Sequence, residues 1–205
     1  MKMKLVWALL ISLTWINAEE LDAQIEACHK GDVPSCYNAG MALTTGKNAE
    51  DQEKKNMGLE YIRKACKFGE EKACDALGDN YYIDKHYQAA RPYLENSCNR
   101  GIVTACEAMG TMYRDAQEIR QNDVLAREFY EKACVLKSAD SCINVAIMYR
   151  GGFGVEKSRV EEKAFYKKAC DAGSKAGCDS FTKMDNKDKG IEEPGLWDKF
   201  KSLFN

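Results

Sequence analysis

The chain has 205 residues, of which 45% are hydrophobic and 30% charged, with 30 lysines and arginines against 32 aspartates and glutamates. A net charge of −2 leaves no basic footprint, which argues against nucleic acid or an anionic membrane as the main partner. Ten cysteines in a chain of this length point to a disulfide framework wherever an export signal accompanies them.

Such a signal opens the chain. Met1-Lys2-Met3-Lys4 is a basic start, Leu5 to Ile16 is apolar apart from Ser12 and Thr14, and Ala18 ends a small-residue cleavage point. The run falls short of the roughly 20 apolar residues that span a membrane. Residues 1–18 therefore read as a signal peptide, and the mature chain from residue 19 as periplasmic or secreted. Cys28 lies well past the cleavage point, so no lipid-attachment cysteine stands there.

The cysteines carry the period. Cys28/Cys36, Cys66/Cys74, Cys98/Cys106, Cys134/Cys142 and Cys170/Cys178 each enclose seven residues, and the pairs recur after 38, 32, 36 and 36 residues. A period in the mid-thirties marks an array of helical hairpins. Ahead of the later pairs stand Tyr61-Ile62, Tyr93-Leu94, Phe129-Tyr130 and Phe165-Tyr166, helically spaced from the cysteine; this is helix B. After each second cysteine, the third, fourth and seventh residues share one face of helix A. The third are Ala39, Leu77, Met109, Val145 and Phe181. The fourth are Gly40, Gly78, Gly110, Ala146 and Thr182, and a recurrent glycine there suggests close helix approach. The seventh are Leu43, Tyr81, Tyr113 and Tyr149, with Asp185 breaking the rule. Turns such as Lys67-Phe68-Gly69-Glu70 join B to the next A, so each cysteine pair straddles a helix–turn–helix corner. Bridges closing loops this short contribute about 2–3 kcal/mol each on the chain-entropy account.

Tyr149 to Val155 (Tyr-x-x-Gly-x-Gly-Val), the small residue in mid helix A and the aromatic-x-Lys-Ala ahead of the corner resemble Sel1-like repeats. Lys132-Ala133-Cys134 and Lys168-Ala169-Cys170, each with its second cysteine, resemble the Helicobacter cysteine-rich protein family. The resemblance implies an all-α fold, an α/α solenoid of the Sel1-like, TPR-like superhelical type, with disulfides inside its corners and a concave face. It also implies export, and one of three activities: penicillin binding, weak β-lactam hydrolysis or interaction with host proteins.

The repeats are expected over residues 19–184, then a polar linker over 185–195. Residues 196–205 follow as an amphipathic helix with Leu196, Trp197, Phe200, Leu203 and Phe204 on one face. That helix reads as a cap over the last repeat or as a hook for a partner or a membrane surface.

Candidate chemistry is sparse. Cys-x7-Cys is not a zinc spacing, and His29 and His86 stand alone as surface side chains, so no metal or cofactor is expected. Ser180-Phe181-Thr182-Lys183 matches the Ser-x-x-Lys of serine acylases, with Ser180 as nucleophile and Lys183 as base. Serine and lysine are frequent enough here for about one chance match, and no Ser-Asp-Asn or Lys-Thr-Gly element accompanies it. Helix A positions turned away from the packed face offer a groove for a peptide or protein: Asn38, Met41, Asp79, Thr111, Asn144 and Ile147. Asparagine amides there can donate to and accept from a peptide backbone. The expected protein is a monomeric binding scaffold, with β-lactam hydrolysis as the alternative and a β-lactam or cell-wall peptide as the matching ligand.

Overall fold

The computed structural model describes residues 19–45, 48 and 50–191, and the regular structure among them is entirely helical. The predicted signal peptide, residues 192–195 of the predicted linker and the predicted C-terminal helix lie outside the described residues. Helix α1 covers residues 19–29. After it come α2 (Val33–Thr44), α3 (Gln52–Lys67), α4 (Glu71–Ile83), α5 (Tyr87–Asn99) and α6 (Val103–Arg114). The series ends with α7 (Asp123–Val135), α8 (Ala139–Gly151), α9 (Arg159–Asp171) and α10 (Lys175–Asp188). Odd helices are the expected helix B and even helices the expected helix A. Among the described residues no helix is long and apolar enough to cross a membrane.

One backbone device makes every corner. At α1/α2, Gly31 takes φ 98°, its N–H donates to the Cys28 carbonyl at 3.0 Å, and the Asp32 N–H donates to the Ala27 carbonyl at 3.0 Å. These two bonds are a Schellman stop. The residue that completes it also starts the next helix, because the Asp32 carboxylate caps α2 through the Ser35 N–H. The same pair of bonds recurs at Gly69/Glu70, Gly101/Ile102, Lys137/Ser138 and Gly173/Ser174. The chain thus reverses within a few residues and brings each first cysteine beside its partner. All five expected pairs are bonded, with Cα–Cα separations of 4.6, 4.7, 4.7, 4.7 and 4.3 Å in chain order.

The α7/α8 corner holds a lysine where the others hold glycine. Lys137 sits at φ 74°, a left-handed conformation that costs an L-residue roughly 1–2 kcal/mol. Ser138 anchors it: its hydroxyl donates to Glu107 and accepts from the Ser141 N–H.

The described chain packs as two compact units that divide between Tyr93 and Leu94 within α5, beside Pro92, which lacks an N–H for the helical ladder. In the first unit Gly40 of α2 meets Gly58 of α3. A Cβ on either would stand 2.8 Å from the other's carbonyl oxygen, so the predicted close approach is real there. In the second unit a Cβ on Gly110 would stand 2.7 Å from the Tyr130 ring. The aromatic residues seventh after the cysteine pack on helix B: Tyr81 meets Tyr93 at a tilt in the first unit, and Tyr113 stacks on Phe129 and Tyr149 on Phe165 in the second. Tyr130, Val145, Ala146, Phe165, Tyr166 and Ala169 form the core of the last repeats.

Helix α10 runs to Asp188, past the expected boundary at 184, so the first four residues assigned to the linker are helical. Ion pairs account for this correction. Lys163 of α9 reaches both Asp185, at 3.0 Å, and Asp188, at 2.7 Å, while Arg159 also holds Asp188, at 2.9 Å. Asp185 breaks the aromatic rule because it closes the end of α10 by charge.

Reduction of the bridges is expected to lower the melting temperature by at least the roughly 5–10 °C that one bridge contributes in a chain of this size. Calorimetry with and without reductant checks this, and coincident curves would remove the bridges from the stability account.

Candidate functional site

The expected groove residues fall into separate depressions. In the second unit Asn144 and Ile147, one turn apart on α8, line a cavity of about 320 Å³ together with Arg114, Gln121, Asp123, Tyr130, Met148 and Phe153. Tyr130 is buried and its hydroxyl shares a hydrogen bond with Thr111 at 3.0 Å. Thr111 therefore helps to hold the Tyr130 wall of this cavity. Burial pushes the Tyr130 phenol up, more than the Thr111 bond draws it down. The Arg114 guanidinium lies 5.8 Å from the Tyr130 ring centroid and bonds Asp115, which holds that carboxyl below the usual range. Phe153, half exposed, closes the far side from the α8/α9 loop.

In the first unit Asn38, Met41 and Ala42 of α2 face Glu20, Leu21 and Gln24 of α1 and Asn48 across a cavity of about 540 Å³. The Asn48 amide donates to the Ala42 carbonyl at 2.9 Å and fixes the rim. Asp79 stands on α4, open to solvent on one side and partly covered on the other, outside the lining of either cavity.

Ser180 and Lys183 do line one depression, of about 350 Å³, with Arg150, Arg159, Glu162, Tyr166, Met184 and Lys187. Among the described residues no hydrogen bond joins Ser180 to Lys183. The pair shares a cavity without the contact that would let the amine take the serine's proton.

This depression and the one around Asn144 are the same place in consecutive repeats. Adding one 36-residue period carries Arg114 to Arg150, Asp123 to Arg159, Tyr130 to Tyr166, Asn144 to Ser180, Ile147 to Lys183 and Met148 to Met184. Arg114, Tyr130, Phe153 and Arg150 were absent from the sequence-based set. The recurrence of Tyr-Arg at 113–114 and 149–150 was the signal that could have found two of them.

The Sel1 repeat matches residues 33–67, 103–135 and 139–174, just over half of the chain, so the chain belongs to the Sel1 repeat family. The matched stretches are α2–α3, α6–α7 and α8–α9 with their connections; α4–α5, joined through residues 84–86 and carrying Pro92, lies outside them. Among solved structures, the chain is similar to c5321, a protective antigen of uropathogenic Escherichia coli strains displaying an SLR fold. The TM-score is 0.62 at 16% identity over 82% of this chain and 36% of that one. It is also similar to a Sel1 repeat protein from Oxalobacter formigenes, with TM-score 0.59 at 18% identity over 80% of this chain and 48% of that one. The chain thus spans less than half the length of either, and these likenesses establish the fold alone. Helicobacter pylori cysteine rich protein B aligns at 20% identity over 79% of this chain and 92% of its own, with TM-score 0.32. No curated protein matches the chain.

Partial burial, and after it the neighbouring Asp75, hold the Asp79 carboxyl above its ordinary range. A carboxyl raised in the fold opposes folding once ionised. That penalty is absent below the unfolded value of about 3.9 and grows as pH rises through the folded value. Asp79→Asn is therefore expected to raise the melting temperature near pH 7 and to give no such gain near pH 3. Melting curves at the two pH values check the sign.

Proposed function

We propose that this chain is an exported, disulfide-locked scaffold that binds extended peptide segments of a protein partner on its helix A faces. One observation carries the reading: Asn144 and Ile147 share a cavity with Tyr130, Phe153 and Arg114. An amide for backbone bonds, an apolar floor and a cation at the rim are what an extended peptide with an acidic or carboxylate group uses. Asn38 and Met41 give the first unit a comparable pair of contacts. Sel1 repeats serve generally as protein-interaction scaffolds, which supports the reading, as does the density of disulfides that an oxidising compartment allows.

Serine acylation of a β-lactam is the weaker reading. Ser180 and Lys183 line one depression, but among the described residues they share no hydrogen bond and no Ser-Asp-Asn or Lys-Thr-Gly element accompanies them. Turnover of a chromogenic β-lactam that Ser180→Ala abolishes, with the fold intact, would reverse this order.

The test of the binding reading starts from a peptide selected on the oxidised protein from a displayed library. Asn144→Ala is expected to weaken a peptide seated in the second unit's cavity roughly fivefold while leaving the melting temperature unchanged, since a lost amide bond is worth about 1 kcal/mol. Fluorescence anisotropy reads the affinity, and an unaltered value would place the binding surface elsewhere.

A further inference from the structure

The depression at α8, α9 and α10 departs from its counterpart one repeat earlier in a way that packing does not require. Counting eight residues back from the first cysteine of each pair gives Glu20, Gly58, Ala90, Ala126 and Glu162, and Glu20 is exposed on α1. Gly58 lies buried between helices, and Ala90 and Ala126 are fully buried. A small residue therefore suffices at this helix B position. The last repeat instead carries Glu162, a residue only 9% exposed. No hydrogen bond or ion pair reaches its carboxylate from the described residues, although it lines a cavity of about 350 Å³. The start of α9 eases its charge, since Glu162 stands in the first turn. The Ser158 cap, however, serves the Glu161 N–H. A carboxylate on so covered a residue, open only to the cavity and without a partner, is favourably placed to take a cationic group.

The rim has changed in the opposite sense. Asp123 has become Arg159, Ile147 has become Lys183, and Gly151 has become Lys187, with Arg150 retained from Arg114. Asp188 neutralises Arg159. Arg150 reaches the Tyr166 hydroxyl at 3.5 Å, and none of Arg150, Lys183 and Lys187 has a carboxylate partner among the described residues. Burial pushes the Tyr166 phenol up, Arg150 draws it down and Glu162 adds a smaller rise, so that phenol lies within the field of both signs. The cavity lining thus offers one anion without a partner and three cations without a carboxylate partner among the described residues.

We propose that this depression binds a small zwitterion with one ammonium and two carboxylates, an acidic amino acid. The ammonium meets Glu162 and the Tyr166 hydroxyl, and the carboxylates meet Arg150, Lys183 and Lys187. The volume lies at the small end of the roughly 300–1,000 Å³ of ligand pockets, which suits one amino acid better than a longer peptide. Charge explains the selectivity: a dicarboxylate without the ammonium satisfies the rim and leaves Glu162 unpaired and repelled.

The experiment is a titration of the oxidised protein, followed by amide NMR shifts, with L-glutamate, glutarate, N-acetyl-L-glutamate and inorganic phosphate as separate probes. L-Glutamate is expected to give saturable shifts confined to α8, α9 and α10 at millimolar concentration. Glutarate and N-acetyl-L-glutamate, which keep both carboxylates and lack the ammonium, are expected to bind at least about tenfold more weakly. Glu162→Gln should erase that preference, and Glu162→Ala, which copies Ala126, should do so in a site that the preceding repeat already packs. Arg150→Gln with Lys183→Gln should weaken every probe. Three results would each overturn the proposal. They are no saturation by L-glutamate, glutarate or phosphate binding as tightly as L-glutamate, and a preference that survives in the folded Glu162 variants.

Discussion

The corner where a helix stops and its successor starts is the constraint on which the rest of the fold depends. Two backbone bonds close the Schellman stop, and at four corners a glycine takes the left-handed conformation. The cystine then ties the last full turn of one helix to the first of the next. Helices of 12 to 16 residues are marginal alone in water. In a repeat array each element packs only on its neighbours and cannot draw on a central core. The bridge limits the unfolded chain at the points where such an array would otherwise come apart. Gly40 against Gly58, and Gly110 under Tyr130, take up the remaining tolerance between helices.

A frame fixed this firmly leaves the positions between corners open to change. The depression beside Tyr130 and the one beside Tyr166 have the same backbone address one period apart, yet Asn144, Ile147 and Ala126 line or underlie the first, and Ser180, Lys183 and Glu162 the second. The first suits a mixed polar and apolar chain, the second a small charged group. Conserved geometry with exchanged side chains lets one repeat carry more than one recognition chemistry.

The corners were legible in the sequence because the cysteines mark them, and the helix faces because their residues return at helical offsets from those cysteines. The lysine at the α7/α8 corner was not foreseen as left-handed, since Lys137 carries no local signal and its conformation rests on Ser138 and Glu107. The polar run from Asp185 to Asp188 looked like a linker because its partners, Arg159 and Lys163, lie more than twenty residues away. Asn144 and Ile147 were legible as exposed helix A positions; Phe153 was not, because its ring serves a cavity while its glycine neighbours look like an ordinary turn. The bond between Thr111 and Tyr130 carried no sequence signal, because Tyr130 sits on another helix. Glu162 stood out only once burial showed it to be covered.

The most direct test of the account is the disulfide map of the native protein. Every loop between paired cysteines contains a tryptic site, at Lys30, Lys67 and Lys72, Arg100, Lys137 and Lys175, so digestion under non-reducing conditions leaves each bridge joining two distinct peptides. Mass spectrometry is expected to find Cys28–Cys36, Cys66–Cys74, Cys98–Cys106, Cys134–Cys142 and Cys170–Cys178 alone. A peptide pair joined between different corners, or free thiols in the folded protein, would contradict the claim that bridged corners hold this chain together.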